Sequence, residues 1–452
     1  MDDTALWAAQ IAAATPLPDR RLRSRLGVLL ESLAHAPADS LPQAAGSWAD
    51  TKATYRFFDN RRVAADDLRT GVSTDTARRC LAHDLILAIQ DTTSGNFTHR
   101  AIPELGPIDP GGQAKGLFMH TTLAATVQGD LLGVLSQQIW TRPGPGQPKP
   151  EQKESGKWLA GIDHTHQYLH ETAEGSAVPR IIHVMDREGD AWDVFQAIDD
   201  AGDSAVLRCV QNRRVEDPLR TAHEAVRRQP LLGSVWVPLP RSHGRAAREA
   251  RLEIRVLRAE LVPAREKYPH AWSMDWTLVE AWESNPSPGV EPIHWLLWTR
   301  EPAGTLAEAW EVVRIYTCRW PCEEFHLTLK SGCRIEDLQL QSWERLEKAL
   351  TLYAAVAVRI VGLRDGACQT PLSPATVLLS VEECAVLEAK FGASAKGGEG
   401  LTLGQAVLWI GRLGGHLNRK GDGLPGVRTL WRGLRDLALL VEGFRAARRL
   451  NE

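Results

Sequence analysis

Three carboxylates in this chain stand in contexts unlike a solvated surface, and they are the residues best placed to do chemistry. Asp91 follows the apolar run Leu85-Ile86-Leu87-Ala88-Ile89, and Asp186 follows Ile181-Ile182-His183-Val184-Met185. Each run reads as a buried strand delivering its aspartate at the strand end, where an α/β sheet presents side chains to a ligand crevice. Glu323 belongs to a different pattern. Tyr316, Arg319, Glu323 and Lys330 fall at i, i+3, i+7 and i+14, which places a phenol, a guanidinium, a carboxylate and an ammonium on one helical stripe. A core stripe would be apolar, and on spacing alone an exposed salt-bridging face explains this one. The alternative is a metal site of hard oxygen ligands, suited to Mg²⁺ or Mn²⁺. Two such ions about 3.5–4 Å apart can activate a water and stabilise the leaving 3′ oxygen of a DNA phosphodiester. Arg319 could then grip a phosphate in bidentate fashion while Lys330 adds a point charge. Glu188, Asp190 and Glu324 are further acids nearby.

Positioning these groups falls to elements readable from periodicity. Residues 1 to about 70 read as helical, with Leu22, Leu26, Leu29, Leu30 and Leu33 at helical spacing. His120 to Val127 and Leu131 to Ile139 read as strands joined by Gln128-Gly129-Asp130, and Pro143 to Pro150 as a loop. From about 204 to 300 short β-like segments dominate, suggesting a β-rich insertion. Leu306 to Leu329 reads as mainly helical, followed by a helix with Leu346, Leu350, Tyr353, Ala357 and Ile360 on one face. Helices and loops continue from about 370, the loops around Gly397-Gly398 and Gly421 to Gly426. Near the end, Leu430, Leu434, Leu437, Val441 and Phe444 are spaced 4, 3, 4 and 3, which suits either a helix–helix seam or packing onto the chain's own core.

At 452 residues the chain is long enough for two or three domains, and 43% hydrophobic with 24% charged residues is a folded composition. The 53 Lys plus Arg against 56 Asp plus Glu give a net charge of −3, so any nucleic-acid partner must be met by local basic clusters. Such clusters occur in Arg20 to Arg25, Arg61-Arg62, Arg78-Arg79, Arg213-Arg214 and Arg241 to Arg251, although Arg pairs are also ordinary on solvated faces. No apolar run approaches the ~18 residues of a membrane span. Seven scattered cysteines fit a reducing, cytoplasmic compartment. Cys318, Cys322 and His326 recur at i, i+4 and i+8, but no Cys-x2-Cys pair accompanies them, and a zinc site is not the reading taken.

The residues now carry a resemblance. Tyr55-Arg56-Phe57, Asp91-Thr92-Thr93-Ser94, Lys153-Glu154-Ser155-Gly156-Lys157-Trp158, Asp186-Arg187-Glu188 and Arg412-Leu413-Gly414-Gly415 occur in order along almost the whole chain. Tyr316 to His326, completed by Lys330, reproduces Tyr-x2-Arg-x3-Glu-x6-Lys without a spacing error. The sequence thereby resembles the Tn-five-type transposases of the insertion-sequence-four group, which carry a DDE triad on a ribonuclease-H-like core. The resemblance overturns the salt-bridge reading and selects Asp91, Asp186 and Glu323 over their acidic neighbours. It implies an α/β catalytic domain at 71–370 with a β insertion at about 204–300. A helical DNA-end-binding region at 1–70 and a helical dimerisation region at 371–452 would flank it.

Two Mg²⁺ or Mn²⁺ ions, double-stranded transposon ends and target DNA, a homodimer in the synaptic complex, and a bacterial nucleoid-associated location follow from the same resemblance. So does a cut-and-paste sequence in which an activated water nicks one strand and the freed 3′ hydroxyl makes a hairpin. A second water then opens the hairpin, and the 3′ hydroxyl joins target DNA. Tyr316, Arg319 and Lys330 would meet DNA, as would Arg25, Arg208 and Trp295. A solvated arginine on a helix or strand would explain Arg25 and Arg208 equally, and for Trp295 the commoner fate of a strand tryptophan is a place in the core. His120 matches a histidine after the first strand, and a buried, hydrogen-bonded histidine fits it as well as a catalytic one. Cys318 and Cys322 depart from the family's usual residues at non-signature positions. The rival reading is a catalytically silent, transposase-derived DNA-binding repressor or inhibitor, and a nuclease without strand transfer is a third.

Overall fold

A computed structural model describes residues 3–144, 154–216, 221–239, 248–392, 400–419 and 422–451. The amino-terminal stretch forms α1 (Asp3–Ala14), α2 (Arg20–His35), α3 (Leu41–Ala45), α4 (Trp48–Phe58) and α5 (Ala65–Cys80). Asp19 caps α2 by accepting from the Leu22 amide at 2.9 Å. Leu26, Leu29, Leu30 and Leu33 are buried, while Arg20, Arg21 and Arg23 face solvent. Residue 70 lies inside α5, which packs on α1 and also on the catalytic half of the chain. A division at 70, with further bounds at 370, therefore remains a proposal about function rather than a gap in packing.

The strands and helices that follow are β1 (Leu85–Asn96), β2 (Gly106–Pro107), β3 (Lys115–Ala125), β4 (Leu131–Trp140), α6 (Gly156–Ala173), β5 (Arg180–Met185), α7 (Trp192–Ala201), β6 (Ser204–Arg208) and α8 (Ala222–Arg227). Next come β7 (Gly233–Leu239), β8 (Arg248–Leu261), β9 (Met274–Trp282) and β10 (His294–Thr299). The remaining helices are α9 (Leu306–Thr317), α10 (Trp320–Leu327), α11 (Trp343–Gln369), α12 (Val381–Phe391), α13 (Leu403–Leu413) and α14 (Val427–Asn451). One sheet runs β4-β3-β1-β5-β6-β10-β9-β8-β7, with the short β2 sharing an edge of β3. β3 and β4 are antiparallel to their neighbours, whereas β5 and β6 continue from β1 in parallel. Three antiparallel strands followed by two parallel ones, with β1 at the centre, form the expected ribonuclease-H-like core.

Three sequence expectations change. Ala205 to Arg208, read as the first segment of the insertion, instead forms β6 of the core sheet, because it pairs in parallel with β5. The insertion extends the same sheet, since β10 pairs antiparallel with β6 (Leu297 opposite Arg208). Asp91 does not end its strand, because antiparallel pairing with β3 carries β1 on to Asn96. Finally, the stretch from 306 to 329 is mainly helical as expected, but the one helical stripe through Tyr316, Arg319, Glu323 and Lys330 is interrupted, because α9 ends at Thr317 and α10 begins at Trp320. Pro321 lacks the N–H that would bond Thr317 and its ring crowds that carbonyl. Thr328–Gly332 then widens into a π turn, with the Cys333 amide bonded to the Thr328 carbonyl at 2.7 Å. Gly332 lets this turn lie against Trp431 of α14, where a Cβ would come within 2.7 Å of the indole. Residues 145–153 and 397–398, Gly421, and 241–247 of the basic stretch lie outside the described residues.

Strand alternation separates the two faces of the sheet. Leu87 and Ile89 of β1, Ile182 and Val184 of β5, and Val206 of β6 join a core shared with α9, α10 and α11. Met185, Ala205 and Leu207 point the other way, to a core shared with α6 and α7. The middle of α11 is buried nearly all round, including the expected Leu346, Leu350, Tyr353, Ala357 and Ile360.

Candidate active site

The same alternation carries on to the acids. Asp91 continues the series 87, 89, and Asp186 continues 182, 184, so both aspartates face the layer that holds α10. The last parallel pair of β1 and β5 is Gln90 opposite Met185, which sets Asp91 beside Asp186. Asp186 ends its strand as expected and accepts from the Glu188 amide at 2.9 Å. Glu323 reaches the same place from the first turn of α10. Arg319 joins the two sides, its Nη1 2.8 Å from Asp91 Oδ2 and its Nη2 2.9 Å from Glu323 Oε1.

The electrostatics match that crowding. Burial pushes the Asp91 carboxyl up to about 6, with Arg319 opposing and Asp186 adding to the rise. Burial also raises Asp186. Burial works against the charge of Arg319, yet its bond to Glu323 and its proximity to Asp91 raise its pKa above the ordinary value. Three carboxylates against one bridging guanidinium leave a surplus of negative charge and hard oxygen donors, which fits divalent cations. Cys322 and His326 lie close enough to Asp91 for the three donor atoms to fall within 4.8 Å of one another. The Cys322 thiol is fully buried and its pKa rises well above the usual value, so it is a poor ligand beside three carboxylates.

The acidic neighbours are occupied elsewhere. Asp190 is buried under the amides of Val210 and Gln211 and the guanidinium of Arg213. Glu324 pairs with Arg364, and Glu188 with Lys157 at 2.9 Å. Arg213 is therefore a structural arginine. His120 is buried, with Nδ1 2.9 Å from Thr92 Oγ1 and Nε2 3.0 Å from Gln90 Oε1, so it serves as a satisfied core histidine behind Asp91.

Of the residues expected to meet DNA, three gather into one group. Trp295 packs edge-on against Tyr316 at 5.6 Å, and Arg208 lies over the same ring at 5.9 Å while donating to the His294 carbonyl. Lys330 sits half-buried in the π turn, its pKa lowered by burial. Arg25 is apart from them, paired with Asp50 of α4 at 3.0 Å. Sequence reading passed over Lys157, although it lies in the quoted Lys153 to Trp158 segment. Its side chain is 10% exposed, and its ammonium sits 5.5 Å from the Trp158 ring while paired with Glu188 beside Asp186.

Three family models match the chain: Transposase DNA-binding over residues 4–63, Transposase DDE domain over residues 150–359, and Transposase Tn5 dimerisation domain over residues 393–452. The chain belongs to the Tn5-type DDE transposases. It is therefore a metal-dependent DNA phosphoryl transferase on a ribonuclease-H-like core. The transposase binds DNA and forms dimers. Asp186 and Glu323 lie within the DDE match, whereas Asp91 precedes it and takes its place from the strand register. No helix among the described residues of the transposase is long and apolar enough to cross a membrane.

Proposed function

We propose that the transposase works by cut and paste, with Asp91, Asp186 and Glu323 holding two Mg²⁺ or Mn²⁺ ions at the ends of the transposon. The observation that carries this reading is the convergence of three carboxylates from β1, β5 and α10, with Asp91 and Glu323 bound to one guanidinium and Asp186 set beside Asp91 by the strand register. Bound divalent ions supply charge stabilisation to the phosphate and to the leaving 3′ oxygen. The protein's own groups orient the reacting strands. Arg319 presents two donors at the spacing of a phosphate's oxygens, so an incoming phosphodiester competes with Asp91 and Glu323 for them. Lys330 adds a point charge from the next turn, and Trp295 with Tyr316 offers an aromatic surface to a displaced base.

Water attacks the first phosphorus and frees a 3′ hydroxyl. That hydroxyl attacks the opposite strand to close a hairpin, a second water reopens it, and the 3′ hydroxyl then joins target DNA. All four are in-line displacements at phosphorus, so one site can serve each in turn. The amino-terminal helices would hold the end repeats through Arg20 to Arg25, with Arg25 exchanging Asp50 for phosphate. The carboxy-terminal helices would pair two chains in the synaptic complex.

The test is a labelled fragment carrying the element's own terminal repeats, incubated with the purified protein and Mg²⁺. Asp91→Asn, Asp186→Asn and Glu323→Gln should each abolish nicking while sparing binding, because DNA contacts are spread over many basic residues. Near-normal nicking by any of the three removes that residue from the triad. Cleavage without joining in the wild type would identify a nuclease, and binding without cleavage a silent DNA-binding protein.

A further inference from the structure

Donor atoms of a different kind converge on the opposite face of the sheet. His183 lies in the middle of β5 and, by alternation, points away from the face of Asp186 and toward α6. It is fully buried. His166 comes from α6, and Asp203 stands one residue before β6. His166 Nε2 and His183 Nε2 lie 2.6 and 2.8 Å from the same Asp203 Oδ2. The three residues offer donor atoms that all fall within 4.8 Å of one another.

We propose that His166, His183 and Asp203 form a second metal site, selective for Zn²⁺ or a similar transition-metal ion and separate from the catalytic carboxylates. Two imidazoles and a carboxylate are a donor set that zinc accepts, and the nitrogen ligands disfavour Mg²⁺. His170 follows His166 by one helical turn, its ring stacked at 6.0 Å, so the fourth position can go to this exposed imidazole or to water. A pair of histidines at i and i+4 on one helix face is a spacing that binds zinc. Zinc–ligand bonds of about 2.0–2.2 Å in tetrahedral geometry require the donor atoms to part by about 0.5–0.9 Å, as the ion takes the place of the shared protons. Access is from the α6 side, where the His166 side chain is 27% exposed while that of His183 is not exposed at all.

The site would act as a staple. It joins α6, β5 and the turn between α7 and β6, and the Asp203 carbonyl also accepts from Arg300 beyond β10 at 2.9 Å. These segments flank the two parallel strands that carry Asp186 and Arg208. By strand rise His183 lies roughly 10 Å from Asp186 along β5.

The experiment uses the full chain carrying Asp91→Ala, which removes a catalytic carboxylate and one member of the Asp91–Cys322–His326 group. The metal-free protein is titrated with Zn²⁺ alone and, separately, with Co²⁺ as a visible probe. The expected result is one equivalent bound, a raised unfolding temperature, and a cobalt spectrum of nitrogen and oxygen ligation. His166→Gln and Asp203→Asn, both polar replacements, should weaken binding by at least the order of 10- to 100-fold that loss of a supporting residue costs. Circular dichroism confirms that both variants are folded. The proposal is overturned by no zinc-dependent stabilisation, by undiminished binding in both folded variants, or by a thiolate charge-transfer band that assigns the ion to cysteine.

Discussion

Arg319 is the residue on which this site turns, because it touches both Asp91 and Glu323 and is also the natural partner of a phosphate. Arg319→Ala is expected to lower kcat/KM for end cleavage by roughly 10- to 100-fold, about 1.4–2.7 kcal/mol. Arg319→Lys should recover little, since an ammonium cannot span two oxygens in a planar fork. Steady-state kinetics on both variants check this, and full recovery by lysine would reduce the role to simple charge. At Trp295 a base displaced during hairpin closure would gain roughly 1–3 kcal/mol from stacking. Trp295→Ala should therefore nick normally but accumulate nicked ends, measured on denaturing gels, and equal loss of both steps would return the residue to the core. Trp298, three residues along β10, faces the opposite side and is fully buried against Phe195. Its truncation would cost ~3–5 kcal/mol of stability, so the exposed Trp236 serves as the control. The acids proposed for the triad, and the Tyr-x2-Arg-x3-Glu-x6-Lys spacing, can be picked out of the sequence because identity and spacing survive without coordinates. The pairing of Arg319 with Asp91 was not, since 228 residues separate them.

Elements show where periodicity is sufficient and where it is not. The stripe of α14 was open between a partner seam and the chain's own core, and the fold divides it. Leu430, Leu437 and Val441 are buried in a core shared with α12 and α13, whereas Leu439, Phe444 and Leu450 are exposed. Leu437→Asp is thus expected to destabilise the carboxy-terminal region by ~3–5 kcal/mol. Leu439→Asp with Phe444→Asp should leave the fold intact and weaken dimers, which analytical ultracentrifugation would resolve; an unchanged dimer would place the seam elsewhere. On α11, burial pushes the Asp365 carboxyl up to about 7, with Glu324 adding to the rise and Arg364 opposing it. Because the folded chain holds this proton more tightly than the unfolded one, stability falls as pH rises from about 4 through about 7. Asp365→Asn should accordingly stabilise the protein at pH ~8 by a few kcal/mol at most, with the gain vanishing near pH ~4. Urea unfolding at the two pH values decides it, and a gain independent of pH would dismiss the titration.

At the scale of the whole molecule, the amino-terminal helices do two jobs. Arg20, Arg21 and Arg23 face solvent, but Trp7, Leu26, Leu30 and Phe57 belong to the same core as β1 and α11. Deleting residues 1–60 is expected to strip one wall from that core and lower the unfolding temperature, measured by thermal unfolding. Arg20→Ala, Arg21→Ala and Arg23→Ala together test end binding without that cost. The expected result is a weaker gel shift with an unchanged melting curve, and undiminished affinity would remove this face from the DNA interface.

By itself the sequence determined the residue types, their spacing along single elements, and through them the family, from which the choice of acids is proposed. Short-range periodicity encodes which face of one helix or strand is apolar, and a family signature lies within a single stretch of chain. The tertiary structure decided what depends on pairing between distant segments. It placed β6 in the core sheet, carried β1 past Asp91, set Asp91 beside Asp186 through strand register, and gave most of the α14 stripe to the chain's own core. Register and burial are settled by which surfaces meet, and that is a property of the assembled fold rather than of any segment within it.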